Sequence, residues 1–145
     1  SDGEDALAMA AALLRGGGIL ALKGAGGFQL LTDARDAAAI ARLRERKHRP
    51  HKPLAVMFAD LAALAGRAAL GAVCRVSPAE QALLTSPAAP IVLLDRSSDA
   101  LPANLAPGNL RLGAMLPSTP LHALLLDMQR LTPAVDTASV FSASP

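Results

Sequence analysis

The sequence predicts a single mixed α/β domain. Predicted strands alternate with predicted helices along the 145 residues, which is the pattern of a sheet covered by helices. Two of the strands follow each other with only a glycine-rich turn between them, so the sheet is expected to be mixed rather than wholly parallel. No repeat, low-complexity segment or linker divides the chain, whose length is that of one domain with its own core.

The first half of the chain begins with an alanine- and leucine-rich helix over residues 4–15, which ends at the three glycines 16–18. Strands are predicted at 19–23 and 28–31, on either side of the turn 24–27. A helix at 36–46 places Ala39, Ile40 and Leu43 on one face. The strand 54–58 and a helix over 60–67 follow.

The second half begins with the segment Ser77-Pro78-Ala79-Glu80, which has the order of a helix capping box. This pattern predicts a short helix that ends near residue 85. Strands are predicted at 90–94 and 110–115, separated by a loop over 96–107, and a last helix at 120–130.

Composition excludes several classes of protein. No apolar run approaches the roughly 18–20 residues of a membrane span. Asp2, Glu4 and Asp5 give the N-terminus the wrong charge for a signal peptide. Cys74 is the single cysteine, which excludes a disulfide framework within the chain and a cysteine-based zinc site. We therefore expect a protein of the reducing cytoplasm, with no membrane association.

The strongest signal is the segment RERKHRPHKPLAVM at residues 44–57. The net charge of the chain is only +2, yet six of its fourteen lysines and arginines lie between residues 42 and 52. One interpretation is a solvated helix C-terminus, where cations favour the helix dipole. The other is an anion site, because Pro50 and Pro53 hold Arg49, His51 and Lys52 on a rigid non-helical path. Arginine and lysine there would bind phosphate oxygens.

The glycine turn KGAGGF at residues 23–28 has two interpretations. It matches neither the P-loop nor the dinucleotide-binding pattern, and a tight hairpin turn explains it. Alternatively, its backbone N–H groups approach an anion while Lys23 extends into the same site.

The three histidines do not predict a metal site. His48 and His51 stand among cations, which disfavour a metal ion, and no metal is expected. His122 is interpreted as a partly buried histidine with satisfied hydrogen bonds. The scarcity of aromatic residues weakens single-stranded nucleic-acid binding, which depends on stacking.

Four stretches, in order, resemble the YrdC-like domain, in the form found in the HypF hydrogenase-maturation carbamoyltransferases. They are ILALKGAGGFQLLTDA (19–34), ARLRERKHRPHKPLAVM (41–57), SPAAPIVLL (86–94) and LAPGNLRLGAMLPSTPLHALLL (105–126). The resemblance implies a twisted mixed sheet with helices around a positively charged cavity. It also implies formation of carbamoyl-adenylate from carbamoyl phosphate and ATP, with Mg²⁺ accompanying the ATP. A following transfer domain and the acceptor protein HypE would be partners.

The resemblance assigns roles to particular residues. Lys47 and Arg49 would be the catalytic pair, neutralising charge at the α-phosphorus. Lys23, Gly26 and Gly27 would face the carbamoyl donor. The ATP phosphates would be bound by Lys23, Lys47, Arg49, Lys52, Thr137, Ser139 and Ser142.

The chain also departs from the family pattern. Gln29 and Thr32 stand where HypF-like sequences usually have histidine and cysteine. In the tail PAVDTASVFSASP (133–145), Ala138 and Val140 replace a nucleotide-contacting serine and asparagine, and Ala143 replaces a glycine. Losing two hydrogen bonds to a charged ligand, at about 1.5–3 kcal/mol each, would lower affinity or rate by several orders of magnitude. One explanation is that Ser139 and Ser142 replace the missing contacts; the other, which we favour, is a YrdC-like domain over residues 1–145 that is incomplete at its C-terminus and impaired in catalysis.

Two alternative functions remain open. The first is a YrdC-like module that binds RNA or a nucleotide without chemistry. The second is adenylate synthesis from threonine and bicarbonate, as in the relatives that modify tRNA. Those relatives carry a proline–threonine motif where this chain has KGAGGF (23–28), so the glycine turn favours the HypF type.

Overall fold

The computed structural model describes residues 2–24, 27–64, 73–129 and 133–136. Within these residues, six strands form one mixed sheet in the order β1-β2-β6-β3-β5-β4. The β3–β5 pair is parallel and every other neighbouring pair is antiparallel. The fold class expected from the sequence, a mixed α/β sheet, is therefore confirmed.

The strands are β1 (Leu20–Gly24), β2 (Gly27–Asp33), β3 (Ala55–Met57), β4 (Val92–Asp95), β5 (Arg111–Met115) and β6 (Pro133–Asp136). The helices are α1 (Asp2–Arg15), α2 (Ala37–Lys47), α3 (Leu61–Leu64), α4 (Pro78–Leu84) and α5 (Pro120–Gln129), with a short 3₁₀ helix at Ala103–Leu105.

The two faces of the sheet bury separate apolar clusters, because successive strand residues point to opposite sides. On one side, here called the α2 face, the strand residues pack with residues of α2 and α4; this cluster includes Ile40, Leu43, Val56, Leu84 and Leu112. On the other side, the α5 face, strand residues pack with residues of α1 and α5; this cluster includes Leu14, Leu31, Met57, Leu126 and Val135.

Helix ends follow the local sequence signals. The Gly18 N–H donates to the Leu13 carbonyl oxygen (2.8 Å) and Gly17 has φ of 85°, a left-handed conformation that closes α1 at low cost only for glycine. The capping box at α4 is confirmed: the Ser77 hydroxyl accepts from the Glu80 N–H, and the Glu80 carboxylate accepts from the Ser77 N–H. Both ends lie where the sequence predicts them.

The following elements differ most from the sequence prediction. Strand β6 was not predicted, although it lies in the middle of the sheet between β2 and β3. The 3₁₀ helix Ala103–Leu105 lies inside the predicted loop 96–107. The strand predicted at 90–94 is found at Val92–Asp95. Of the helix predicted at 60–67, α3 accounts for Leu61–Leu64, and residues 65–72 lie outside the described part.

Candidate anion-binding site

The basic loop (residues 48–53) starts where α2 ends. His48 adopts a left-handed conformation (φ 52°, ψ 44°) directly after Lys47, the last helical residue. The Arg49 N–H donates to the Arg44 carbonyl oxygen (3.0 Å), which completes the closure of the helix. Histidine is among the non-glycine residues that adopt this conformation more readily. The chain therefore leaves the helix abruptly and carries its remaining cations into the loop.

Arg44 binds the backbone of the basic loop from its buried side. It lies on the buried side of α2, with only 7% of its surface exposed. Its Nη1 donates to the carbonyl oxygens of Arg49 (2.9 Å) and Lys52 (2.6 Å). Its Nε and Nη2 donate to the carbonyl oxygens of Asn104 and Leu105, both at 2.8 Å. One guanidinium thus joins α2, the basic loop and the 3₁₀ helix.

The cations assigned to phosphate binding have different exposures. Lys47 and Arg49 are half-buried, whereas Lys52 is exposed. The strand behind the loop is anchored by the Leu54 N–H, which donates to the Leu105 carbonyl oxygen (2.9 Å). The structure therefore places Lys47 at the end of α2 and Arg49 and Lys52 on the basic loop that follows, at the end of the sheet where β3 begins.

A pocket of about 170 Å³ adjoins this loop on the α5 face. Lys52 and Pro53 form part of its wall, and its apolar lining includes Ile91 from the segment before β4. The strand register places four lining residues in one row across the sheet. These are Val135 on β6, Ala55 on β3, Gly113 on β5 and Leu93 on β4. The pocket thus combines an apolar floor with a lysine at its rim.

Gly113 keeps this floor open. A Cβ atom at this position would lie 3.1 Å from the Ile91 side chain, which is tighter than most Cβ contacts in proteins. It would also lie 3.7 Å from Ala55, which is an ordinary van der Waals distance. Leu93 is 59% exposed although it belongs to a strand, so no helix of the described residues covers that side chain completely. The part of the α5 face near β4 and β5 is therefore available to a ligand.

A larger cleft of about 740 Å³ lies among the loops that join β4 to β5. It has cations (Arg75 and Arg96) and acids (Asp95 and Asp99) in its wall. Of the residues assigned to a site from the sequence, none that the structure describes lines this cleft. Its mixed charge does not favour a polyanion, so size alone does not identify it as the functional site.

A polar network lies between β2 and α5, on the same face as the small pocket. His122 is fully buried, and its Nε2 is 2.9 Å from Gln29 Oε1. Its Nδ1 contacts the Thr119 hydroxyl, which also accepts from the His122 N–H (3.2 Å). Burial lowers the pKa of His122 below its usual value. The interpretation of His122 as a histidine with satisfied hydrogen bonds is confirmed, and its burial is complete.

The structure separates Lys23 from the small pocket. Lys23 pairs with Phe28 across the hairpin, and the alternation of side chains places both on the α2 face. Their neighbours Leu22 and Gln29 lie on the α5 face with the pocket. Gly27 is the first residue of β2, with φ of 131°. The remaining residues assigned from the sequence, Gly26, Thr137, Ser139 and Ser142, lie outside the described residues.

The described residues provide neither a reactive thiol nor a metal site. Burial raises the pKa of the Cys74 thiol to about 11, so it is protonated and unreactive at neutral pH. Among the described residues, no cluster of three histidine, cysteine, aspartate or glutamate side chains could hold a metal ion. None of the helices in this part of the chain is long and apolar enough to span a membrane.

Arg44 was not predicted as a site residue, because a solvated helix C-terminus is enough to explain an arginine at this position. A signal was present in the spacing. Arg44 follows Ile40 by four residues and Leu43 by one, so it continues the buried stripe of α2. An arginine on an apolar stripe must find hydrogen-bond acceptors, and here these are backbone carbonyls of the loop.

Comparison with known proteins shows the family. A family model described as "Sua5_yciO_yrdC: Telomere recombination" matches residues 12–144. The chain belongs to this family and has the YrdC-like fold.

Among its relatives are the HypF carbamoyltransferases. The HypF of Rhodobacter capsulatus is 52% identical over 123 residues, which are 85% of this chain and 16% of that protein. Full-length HypF in a phosphate- and nucleotide-bound form has 38% identity and a TM-score of 0.83, over 91% of this chain and 17% of that one. For HypF of T. kodakarensis the values are 37% and 0.85, over 97% and 18%. The chain therefore corresponds to about a sixth of these proteins, their YrdC-like domain.

Proposed function

We propose that this chain binds ATP and forms carbamoyl-adenylate, as the YrdC-like part of a carbamoyltransferase of the HypF type. The observation that carries the proposal is the basic loop beside an apolar pocket, with Lys52 common to both. A nucleoside triphosphate needs both surfaces. Its phosphates require cations held in place, and its nucleoside requires an apolar surface of the kind that the exposed side chains of Ile91 and Leu93 offer.

The chemistry asked of the protein is mainly positioning and charge neutralisation. Carbamoyl phosphate is first hydrolysed: water takes up the phosphoryl group as its bond to the carbamoyl oxygen breaks, which gives carbamate and inorganic phosphate. A carbamate oxygen then attacks the α-phosphorus of ATP, the bond to the β-phosphate oxygen breaks, and pyrophosphate leaves. Lys47 and Arg49 would balance charge on the α-phosphoryl group and the departing pyrophosphate, and Lys52 would hold the outer phosphates. Mg²⁺ would enter bound to ATP, as part of the substrate.

The proposed biological role follows from the relatives. The product would pass to a transfer domain of a longer protein and then to the acceptor HypE, on the route to a [NiFe]-hydrogenase site. This chain spans 16% of the Rhodobacter capsulatus relative, so these later steps require partners beyond residues 1–145. The proposed contacts of the carbamoyl donor remain Lys23, Gly26 and Gly27. Because Lys23 lies on the α2 face, its side chain would have to extend past the end of the hairpin to reach the side of the sheet that carries the pocket.

Isotope exchange tests the proposal directly. The chain, incubated with ATP, carbamoyl phosphate and labelled pyrophosphate, should transfer label into ATP only when carbamoyl phosphate is present. Lys47→Ala and Arg49→Ala should each lower the exchange rate by about 10²-fold or more, the size typical of a lost charge-stabilising group. Arg46→Ala is the matched control, because Arg46 is a neighbouring exposed cation of α2 with no assigned role. It should exchange at the rate of the unmodified chain.

The same experiment separates the alternatives. Exchange that requires threonine and bicarbonate would identify the tRNA-modifying type of chemistry. No exchange under either condition, together with salt-sensitive RNA binding that Lys47→Ala removes, would identify a binding module. Ala138 and Val140, in place of the polar residues of the family pattern, favour this last outcome more than any other feature of the chain.

A further inference from the structure

The basic loop is built from peptide bonds that precede proline. The carbonyl of Arg49 belongs to the bond with Pro50, and the carbonyl of Lys52 to the bond with Pro53. Proline fixes its own φ near −65° and restricts the residue before it to extended conformations. Once the direction of these two carbonyls is fixed, the backbone path of the loop is largely determined.

Arg44 fixes both carbonyls with one nitrogen. Its Nη1 donates to the Arg49 oxygen at 2.9 Å and to the Lys52 oxygen at 2.6 Å. These are the two loop residues whose side chains are assigned to phosphate. The other two bonds tie the same guanidinium to Asn104 and Leu105 of the 3₁₀ helix. Arg44 thereby connects the basic loop to α2 and to the 3₁₀ helix, and the two loop carbonyl oxygens point towards its guanidinium.

A planar guanidinium suits this task better than an ammonium group. Arginine presents five N–H donors in a rigid fork, whereas lysine offers three donors around one point. Acceptors from four residues lie around Arg44, within 2.6–2.9 Å of three different nitrogens. A lysine at this position would keep the charge but could not reach all four acceptors.

We propose that Arg44 is a positioning residue for polyphosphate binding, which fixes Arg49 and Lys52 through their backbone carbonyls before the ligand arrives. The inference rests on the proposed function, because it requires the loop to bind phosphate groups. A loop that is already in its bound conformation avoids the cost of ordering several residues on binding. Without Arg44, that cost appears as weaker affinity, although every cation assigned to phosphate is still present.

Calorimetric titration with inorganic triphosphate tests the inference on the full chain. Arg44→Lys should weaken binding by about tenfold or more, equivalent to about 1.4 kcal/mol. Arg42→Lys is the matched control: Arg42 is also on α2, and its Nη2 also donates to a backbone carbonyl, that of Gly17 (2.8 Å), far along the chain from the loop. This control should bind within about twofold of the unmodified chain, a difference of only about 0.4 kcal/mol.

A second measurement separates positioning from a general loss of structure. Hydrogen exchange without ligand should show faster exchange in Arg44→Lys at the amides of Arg49 and Leu54, which are hydrogen-bonded at the two ends of the loop, with unchanged protection in β5. If Arg44→Lys does not fold, Pro50→Gly leaves Arg44 in place, loosens the exposed loop and should also weaken binding. Equal affinity in the unmodified chain and in whichever of these variants folds would overturn the inference alone. No binding by the unmodified chain would overturn the proposed function and the inference with it.

Discussion

At the scale of single residues, two polar side chains buried in the apolar interior connect separate elements of the fold. Arg44 satisfies carbonyls of the basic loop, and His122 joins β2 to α5 through Gln29 and Thr119. A buried polar group without partners destabilises the fold by about 1–3 kcal/mol. The fold therefore favours the arrangement in which the hydrogen-bond partners of Arg44 and His122 stay in place. Arg44 acts beside the loop assigned to phosphate, and His122 acts on the face of the sheet that carries the small pocket.

The buried His122 makes stability depend on pH. Burial lowers its pKa in the folded chain, whereas the unfolded chain has the usual value of about 6.5. Below that pH the unfolded chain binds a proton that the folded chain resists, so stability is full above it and falls as pH decreases towards the folded pKa. The loss is at most about 1.4 kcal/mol per pH unit.

Denaturant unfolding between pH 8 and pH 5 tests this expectation. His122→Gln should reduce the slope of unfolding free energy against pH, whatever its effect on stability at pH 8. His51→Gln makes the same substitution at an exposed histidine and is the matched control for loss of an imidazole elsewhere in the chain. An unchanged slope in His122→Gln would show that the buried imidazole is not the group responsible.

At the scale of elements, local signals predicted helices better than strands. The glycine triplet after α1 and the capping box of α4 act within a few residues, and both are confirmed. Strand β6 has no comparable signal. It consists of Pro133–Asp136, begins with a proline and follows residues predicted as helix. Its partners Leu31 and Ala55 are about 80–100 residues away in sequence, so only the folded chain shows that it belongs to the sheet.

The candidate site shows the same contrast: its local features could be predicted from the sequence, and its long-range features could not. Charge and proline spacing identified the basic loop, because both are visible in one short segment. The apolar pocket was not predicted, since its floor combines residues of four strands. The face on which Lys23 lies depends on the register of the β1–β2 hairpin, which the sequence pattern did not specify.

Strand β4 provides a test of the pocket floor. Leu93 on β4 lines the pocket and is 59% exposed, whereas Leu83 on α4 is 54% exposed and does not line it. Leu93→Ala should weaken ATP binding by about threefold to tenfold, because a ligand on the floor would lose contact with part of a leucine side chain. Binding of inorganic triphosphate should not change, since it lacks the nucleoside.

Leu83→Ala is the control of equal size and similar exposure, and it should leave both affinities unchanged. Equal loss of ATP and triphosphate affinity in Leu93→Ala would contradict an apolar contact with the nucleoside. That result would instead indicate a change in the basic loop.

At the scale of the whole molecule, the sheet is held together by its last strand. Strand β6 joins the β1–β2 hairpin to the β3-β5-β4 group, and in the described residues no other strand lies between them. Ala134 and Val135 are fully or almost fully buried, one in each of the two apolar clusters. Folding of the two halves into one cooperative unit therefore depends on residues near the end of the chain.

Two truncations separate this structural role from ligand binding. A chain ending at residue 132 lacks β6 and exposes the edges of β2 and β3, so it should lose the single cooperative thermal transition seen by circular dichroism. A chain ending at residue 136 keeps all six strands and should retain that transition, although it lacks Thr137, Ser139 and Ser142. Titration of this second variant with ATP then measures what those three residues contribute. Affinity equal to that of the unmodified chain would restrict the nucleotide site to the basic loop and the pocket floor, whereas a loss would show that the tail still contributes ligand contacts despite Ala138 and Val140.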